Sequence, residues 1–295
     1  MQLAPGSKIA WIGTGVIGLP MAGHLLNQGY VLSVYTRTRA RAQPLLERGA
    51  TWADSPAAAA EGASAAISIV GYPEDVRSTH LGANGTLTLE HPPPFIIDMT
   101  TSRPSLAVEI HQRAAALGSS AIDAPVSGGD VGARNATLSI MVGADDSAFR
   151  DVLPIFDILG KTVVHQGLPG AGQHTKMVNQ ILVAASMIGA CEGLHYAEAA
   201  GLDLSRVIES VGSGAAGSWT INTLGPRMIA GDFEPGFFVE HFVKDLGIAL
   251  EEASAMHLDL PGLALAQRLY ETLLKEAGMG RKGTQSLLLH YRDQM

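Results

Sequence analysis

The sequence predicts an α/β domain on a doubly wound, mostly parallel sheet over residues 1–166, then an all-α domain over 167–295, joined by a long interdomain helix. Three observations predict it. Short apolar runs alternate with helical patterns as far as about residue 165. Three spaced glycines, Gly13, Gly15 and Gly18, part the first run from the first helical pattern. Beyond Lys176 the periodicity is helical, with no convincing strand.

The elements follow in order. Lys8–Ile12 is an apolar run that breaks at Gly13-Thr14-Gly15-Val16-Ile17-Gly18, and a helical pattern through Met21, Leu25 and Leu26 stops at Gly29. Val31–Tyr35 reads as the second strand, Ala65–Val70 as a buried strand ending at Gly71, and Phe95–Ile97 as another that ends in Asp98-Met-Thr-Thr101. Ala121-Ile-Asp123 leads into Ala-Pro-Val-Ser127-Gly128-Gly129, and Thr137–Val142 and Thr162–Val164 are later strands. From Lys176 to about Ala200 one long, mostly apolar helix is expected, buried between layers or subunits and so part of a dimer contact. Helical periodicity recurs over Leu204–Val211, Thr220–Ala230, Val243–His257 and Leu263–Glu276.

Composition narrows the function classes. A formal net charge of -8, without a basic run, argues against a nucleic-acid-binding face. Cys191 is the single cysteine, so neither a disulfide framework nor a thiolate metal site is expected. His165 and His174 have no partner at ligand spacing, and no metal is expected. The first residues lack a basic start followed by an apolar core, and Ile181–Ala190 is too short to span a bilayer; a soluble cytoplasmic protein is the expectation.

Strand, glycine triplet, helix, strand is the context of a Rossmann-type dinucleotide site. Gly13 permits the tight turn, Gly15 lets backbone approach a pyrophosphate, and Gly18 allows close helix–strand packing. Thr14, Val16 and Ile17 belong to the same cradle. The end of the second strand reports on the ribose, where an acid suits NAD and an arginine suits a 2′-phosphate. Here Tyr35-Thr36-Arg37-Thr38-Arg-Ala-Arg41 holds three arginines and no acid, which favours NADP(H), with NAD(H) the alternative. Val70, Gly71 and Thr101 follow carboxyl ends of strands and are placed for the nicotinamide half.

Lys176 lies where the turn Gly170-Ala-Gly172 opens the long helix, an unusual place for a cation because helix N-termini favour anions. Asn179 and Gln180 follow at spacings that share its face. Ser127, Gly128 and Gly129 offer a hydroxyl and unhindered N–H groups suited to a carboxylate. Lys244-Asp245 starts a further helix after an aromatic-rich turn. Trp219 reads as core by default, or as a pocket wall that selects substrate length.

Read in order, Gly13-x-Gly-x-x-Gly18 with Met21, Asp98-Met-Thr-Thr101, Asp123-Ala-Pro-Val-Ser-Gly-Gly129, Gly170-x-Gly-x-x-x-Lys176 and Lys244-Asp-Leu246 resemble the β-hydroxyacid dehydrogenase family over nearly the whole chain. That family includes 3-hydroxyisobutyrate dehydrogenases and semialdehyde reductases. The resemblance implies hydride transfer between a nicotinamide and a small carboxylate substrate, in a homodimer or homotetramer. It implies Lys176 as general acid–base, Ser127 with Gly128 and Gly129 on the carboxylate, Thr101 against the cofactor, and Lys244 with Asp245 toward the nicotinamide. Many relatives carry asparagine four residues after the lysine, where this chain has Gln180 with Asn179 before it, so either amide could orient the substrate oxygen. Related imine reductases generally lack the lysine, which favours an alcohol/carbonyl couple. The competing readings are an NAD-dependent 3-hydroxyisobutyrate dehydrogenase and a non-catalytic dinucleotide sensor.

Overall fold

The computed structural model describes residues 2–275 and 278–292. By its internal contacts the chain divides into Met1–Lys176 and Met177–Met295. The first unit holds a sheet of nine strands: β1 (Lys8–Ile12), β2 (Val31–Tyr35), β3 (Thr51–Trp52), β4 (Ala65–Ser68), β5 (Phe95–Asp98), β6 (Ser120–Asp123), β7 (Val126–Ser127), β8 (Leu138–Gly143) and β9 (Gly160–Gly167). Its helices are α1 (Gly18–Asn27), α2 (Gln43–Leu46), α3 (Pro56–Ala60), α4 (Pro73–Leu81), α5 (Pro104–Ala115), α6 (Gly129–Arg134) and α7 (Asp146–Leu159).

The strand order is β3-β2-β1-β4-β5-β6-β8-β7, with β9 pairing β8. The first six of that path are parallel, and the reversal of order on either side of β1 is that of a doubly wound sheet. β8 runs against β6 and β7 and parallel to β9, so β8 and β9 share the reversed direction. β3 and β7 have two residues each, too few to leave an alternating pattern in the sequence.

Both faces of the sheet are covered, which is why β4 and β5 are buried at every residue. Successive side chains point to opposite faces. Trp11, Ile67, Ile97 and Ile122 pack with Met21 and Leu25 of α1 and Val152 and Phe156 of α7. Ala10, Ala66, Ile96 and Ala121 face the other way, onto Ala59 of α3 and Leu106 and Ile110 of α5.

α8 (Ala171–Ala199) starts in the sheet unit and continues into the second, five residues earlier than the periodicity predicts. The rest of the second unit is helical: α9 (Leu204–Gly212), a π-helical turn at Thr220–Leu224, α10 (Gly225–Ile229), α11 (Val239–Ala255), α12 (Pro261–Lys275) and α13 (Leu287–Arg292). Glu276, expected at the end of a helix, lies outside the described residues. Met187, Cys191, Leu194, Phe242, Leu246 and Tyr270 form the core of this unit. Burial pushes the Cys191 thiol up to about 12, so it packs as a hydrophobe.

Two features of α8 bear on these expectations. With 29 residues it is long and apolar enough to cross a membrane by length and composition, whereas Ile181–Ala190 by itself looked too short. Nor is it buried all round within its unit. Val178, Leu182 and Tyr196 are 55%, 63% and 74% exposed, while Met187, Cys191 and Leu194 face the core.

Candidate active site

The glycine turn comes first. Gly13 has φ +101, and a Cβ there would lie 2.1 Å from the Ile69 carbonyl oxygen. A Cβ on Gly18 would lie 2.3 Å from the Gly13 carbonyl oxygen. At Gly15 an added Cβ meets nothing within 4 Å, so this glycine keeps open the approach to the turn rather than avoiding a neighbour. The Thr14 hydroxyl is buried without a hydrogen-bond partner among the described residues, Ile17 is half-buried and Val16 is 50% exposed. α1 starts here with no side-chain cap and no acid in its first turn, so its amides are left for an anion. A pyrophosphate fits this donor set.

At the end of β2, Thr36 is half-buried, and Arg37 and Thr38 are exposed. The Arg37 Nη1 donates to Asp75 Oδ1 at 3.2 Å, with the arginine side chain 76% exposed. Such a surface pair is worth about 0–1 kcal/mol, so Arg37 can leave it for a phosphate. Arg39 lies over the Trp52 ring, 5.3 Å from its centroid.

The ends of β4 and β5 are tied by buried polar groups. The Val70 N–H donates to Thr100 Oγ1 at 2.9 Å, and the Thr100 N–H to Asp98 Oδ1 at 3.2 Å. Ser68 Oγ also donates to Asp98, at 2.8 Å. Ser68 therefore accepts from His80 Nε2–H, 2.9 Å away, leaving Nδ1 to accept from the Thr86 hydroxyl at 2.9 Å. Burial lowers His80 to about 4 from 6.5 and raises Asp98 to about 6 from 3.8.

These shifts have opposite signs in stability. Between about pH 4 and 6.5 the unfolded chain binds the proton that folded His80 refuses, so its contribution is present above 6.5 and lost as pH falls. Asp98 and Asp123 keep protons in the fold that the unfolded chain releases, so their contributions are largest below about 3.8 and decline toward pH 6. His80→Gln removes the term that gains with pH. Its urea midpoint is expected to fall more steeply than that of the native protein from pH 4 to 6. Parallel slopes would show that His80 is not held neutral.

Asp123, at the end of β6, takes the opening of α8. Its Oδ1 accepts from the Gly170 N–H at 2.6 Å and its Oδ2 from the Gln173 N–H at 2.8 Å. Burial nevertheless pushes this carboxyl up to about 6. There is no room for side chains around it: a Cβ on Gly143 would lie 2.3 Å from Asp123 Oδ1, and one on Gly172 2.4 Å from the Met141 carbonyl oxygen. The carboxylate thus occupies the helix end that Lys176 follows, which answers the unfavourable placement of a cation there.

Lys176 is 6% exposed, and its Nζ donates to the Val126 carbonyl oxygen at 2.9 Å. That carbonyl immediately precedes Ser127-Gly128-Gly129, so within the sheet unit the ammonium and the proposed carboxylate cradle are neighbours. Gly128 and Gly129 have φ +132 and +62. This left-handed path favours glycine and leaves their N–H groups unscreened. Thr101 is half-buried between Thr100 and Ser102.

In the helical unit a polar chain links the other predicted residues. Asn179 Nδ2 donates to Gln180 Oε1 at 2.7 Å, Gln180 Nε2 to Asp245 Oδ2 at 2.6 Å, and Lys244 Nζ lies 2.9 Å from Asp245 Oδ1. Both ends of the 2%-exposed Gln180 amide are engaged, while Asn179 is half-buried. Asp245, expected beside the cofactor, is 1% exposed, and its carboxylate is held by Gln180 and Lys244. Trp219 is not core: it is 63% exposed.

Residues 8–167 match the family model described as the NAD-binding domain of 6-phosphogluconate dehydrogenase. Residues 170–291 match that described as NAD-binding of NADP-dependent 3-hydroxyisobutyrate dehydrogenase. A probable 3-hydroxyisobutyrate dehydrogenase-like 1 protein, mitochondrial, of Arabidopsis thaliana is 50% identical over 284 residues, covering 96% of this chain and 84% of its own. The 2-hydroxy-3-oxopropionate reductase of Escherichia coli is 36% identical over 271 residues, covering 92% of each chain. The chain belongs to the β-hydroxyacid dehydrogenase family. The crystal structure of a 3-hydroxyisobutyrate dehydrogenase from Salmonella typhimurium superposes with a TM-score of 0.85 at 26% identity, covering 96% of this chain and 99% of that one.

As a β-hydroxyacid dehydrogenase this chain is an NAD(P)-dependent oxidoreductase. Three groups in its sheet unit escape a reading of the sequence as a site: the Asp123 carboxylate, Gln173, and the Ser68–Asp98–His80 cluster. Asp98 and Asp123 do carry a signal, an acid closing each of two apolar strands, and they are partners in the β5–β6 register. Gln173 carries none, because its partners lie 71 and 73 residues away.

Proposed function

We propose that this chain is an NADP(H)-preferring enzyme that interconverts a short carboxylate-bearing aldehyde and its hydroxy acid. The observation that carries this reading is the buried Lys176 ammonium on the Val126 carbonyl, next to Ser127, Gly128 and Gly129. The bound nicotinamide supplies or accepts the hydride. Ser127 and the two glycine N–H groups hold the carboxylate, and a plain aldehyde would leave these donors unmatched. Lys176 Nζ gives a proton to the developing alkoxide in reduction and takes the hydroxyl proton in oxidation. A homodimer or homotetramer is supported by the exposed apolar flank of α8 at Val178, Leu182 and Tyr196.

The test is NADPH and NADH oxidation with glyoxylate, succinic semialdehyde, methylmalonate semialdehyde and tartronate semialdehyde. Faster turnover with NADPH on one of these supports the reading. Binding of NADPH with no turnover of any favours a dinucleotide sensor. NAD(H) use, as in an NAD-dependent 3-hydroxyisobutyrate dehydrogenase, is the second reading, because Asp75 already engages Arg37. Arg37→Ala is expected to lower the kcat/KM ratio of NADPH over NADH by about tenfold or more, the loss of one charge-assisted phosphate contact of roughly 1.5–3 kcal/mol. An unchanged ratio would assign the phosphate to other residues or remove the NADP preference.

A further inference from the structure

We infer that Gln173 is a positioning residue that sets the Thr101 loop against the lysine-bearing turn of α8. Its side chain is fully buried, and both ends of the amide are used. Oε1 accepts from the Ser102 N–H at 2.9 Å, and Nε2 donates to the Thr100 carbonyl at 2.7 Å. The two bonds grip the backbone on either side of Thr101. The Gln173 N–H is itself held by Asp123 at 2.8 Å. On the far side of the loop, the Thr100 hydroxyl accepts from the Val70 N–H at 2.9 Å. Two side chains therefore join three segments: Gln173 ties the end of β5 to the first turn of α8, and Thr100 ties it to the end of β4.

Lys176 follows Gln173 by three residues, which puts it on the same helical face and about 4.5 Å further along the axis. Any shift of the Thr100–Ser102 loop relative to that turn changes the distance between Thr101 and Lys176 Nζ. The chemistry of the grip requires glutamine. A donor and an acceptor must sit side by side at that reach; glutamate offers no donor when ionised, methionine offers no donor and only a weak acceptor, and asparagine is one methylene short.

This inference rests on the proposed roles of Thr101 at the cofactor and Lys176 as acid–base. Its test compares native protein, Gln173→Met, Gln173→Glu and Lys176→Ala. Four quantities are measured: kcat on the best semialdehyde, the isotope effect with NADPH deuterated at the transferred position, NADPH affinity by fluorescence, and amide exchange at Thr101 and Ser102. Gln173→Met is expected to lower kcat about 10–10²-fold, as a displacement near 1 Å does. The isotope effect should rise, exchange at Ser102 should speed up, and NADPH affinity, set by the glycine turn, should change little. Gln173→Glu keeps the acceptor for Ser102 and should fall between native and Gln173→Met, and it carries the test if the methionine variant does not fold. A lowered melting temperature with native kcat and isotope effect would reduce Gln173 to a stabilising residue and overturn the inference. Native turnover in Lys176→Ala would remove the acid–base reading separately, whatever the Gln173 variants do.

Discussion

Lys176→Ala is expected to lower turnover about 10²–10⁴-fold, the range set by one general acid–base group. The effect is large because the ammonium is 6% exposed and stands on the Val126 carbonyl, so bulk water is poorly placed to deliver the proton instead. Binding should survive. The glycine turn and the start of α1 follow the carboxyl end of β1, three strands along the sheet from Asp123 at the end of β6, so NADPH affinity should stay near native. Lys176→Arg should not rescue turnover, since a guanidinium does not give up its proton near neutral pH. Stopped-flow measurement of NADPH oxidation with either variant checks this. Native single-turnover rates in Lys176→Ala would make the lysine structural.

Gly13→Ala is expected to destabilise the fold by about 3–5 kcal/mol, summing the strain of a non-glycine at positive φ and the overlap of an added methyl. The overlap is with backbone: a Cβ at Gly13 falls 2.1 Å from the Ile69 carbonyl oxygen and 2.9 Å from its carbon. Relief would require β1 and the segment after β4 to part, in the middle of a sheet buried on both faces. Gly15→Ala is the contrast. Nothing lies within 4 Å of its Cβ, so stability should stay within about 0.5 kcal/mol of native, as for a typical surface change. NADPH affinity should instead drop, because the methyl occupies the path by which a pyrophosphate reaches the α1 amides. Urea denaturation and fluorescence titration separate the two. Equal effects of both substitutions on stability and binding would contradict the division between a glycine needed for the turn and one needed for the ligand.

Much of this molecule is legible along the chain because local physics writes it there. The apolar runs at Lys8–Ile12, Val31–Tyr35 and Phe95–Ile97 each became a strand of the parallel part of the sheet. Gly13, Gly15 and Gly18 announce a turn because each answers a steric demand made by near neighbours or by an approaching anion. Lys176 stands out because a cation on the first turns of a helix runs against the macrodipole.

Other features have no local signature. β7 has two residues and β8 reverses direction, both set by pairing partners rather than by periodicity. Trp219, apolar and so expected inside, is 63% exposed, because helical spacing does not say which face a neighbouring helix covers. Composition, the spacing of three glycines and five short motifs were enough to determine a dinucleotide-binding sheet, a helical second half and the lysine on which the proposed chemistry turns. Only the tertiary structure decided that Asp123 closes the start of α8, that His80 and Asp98 share Ser68, and that Gln173 grips the backbone around Thr101. Those bonds join residues from 12 to 73 positions apart, and a buried polar group takes as its partner whatever the fold brings within hydrogen-bond reach.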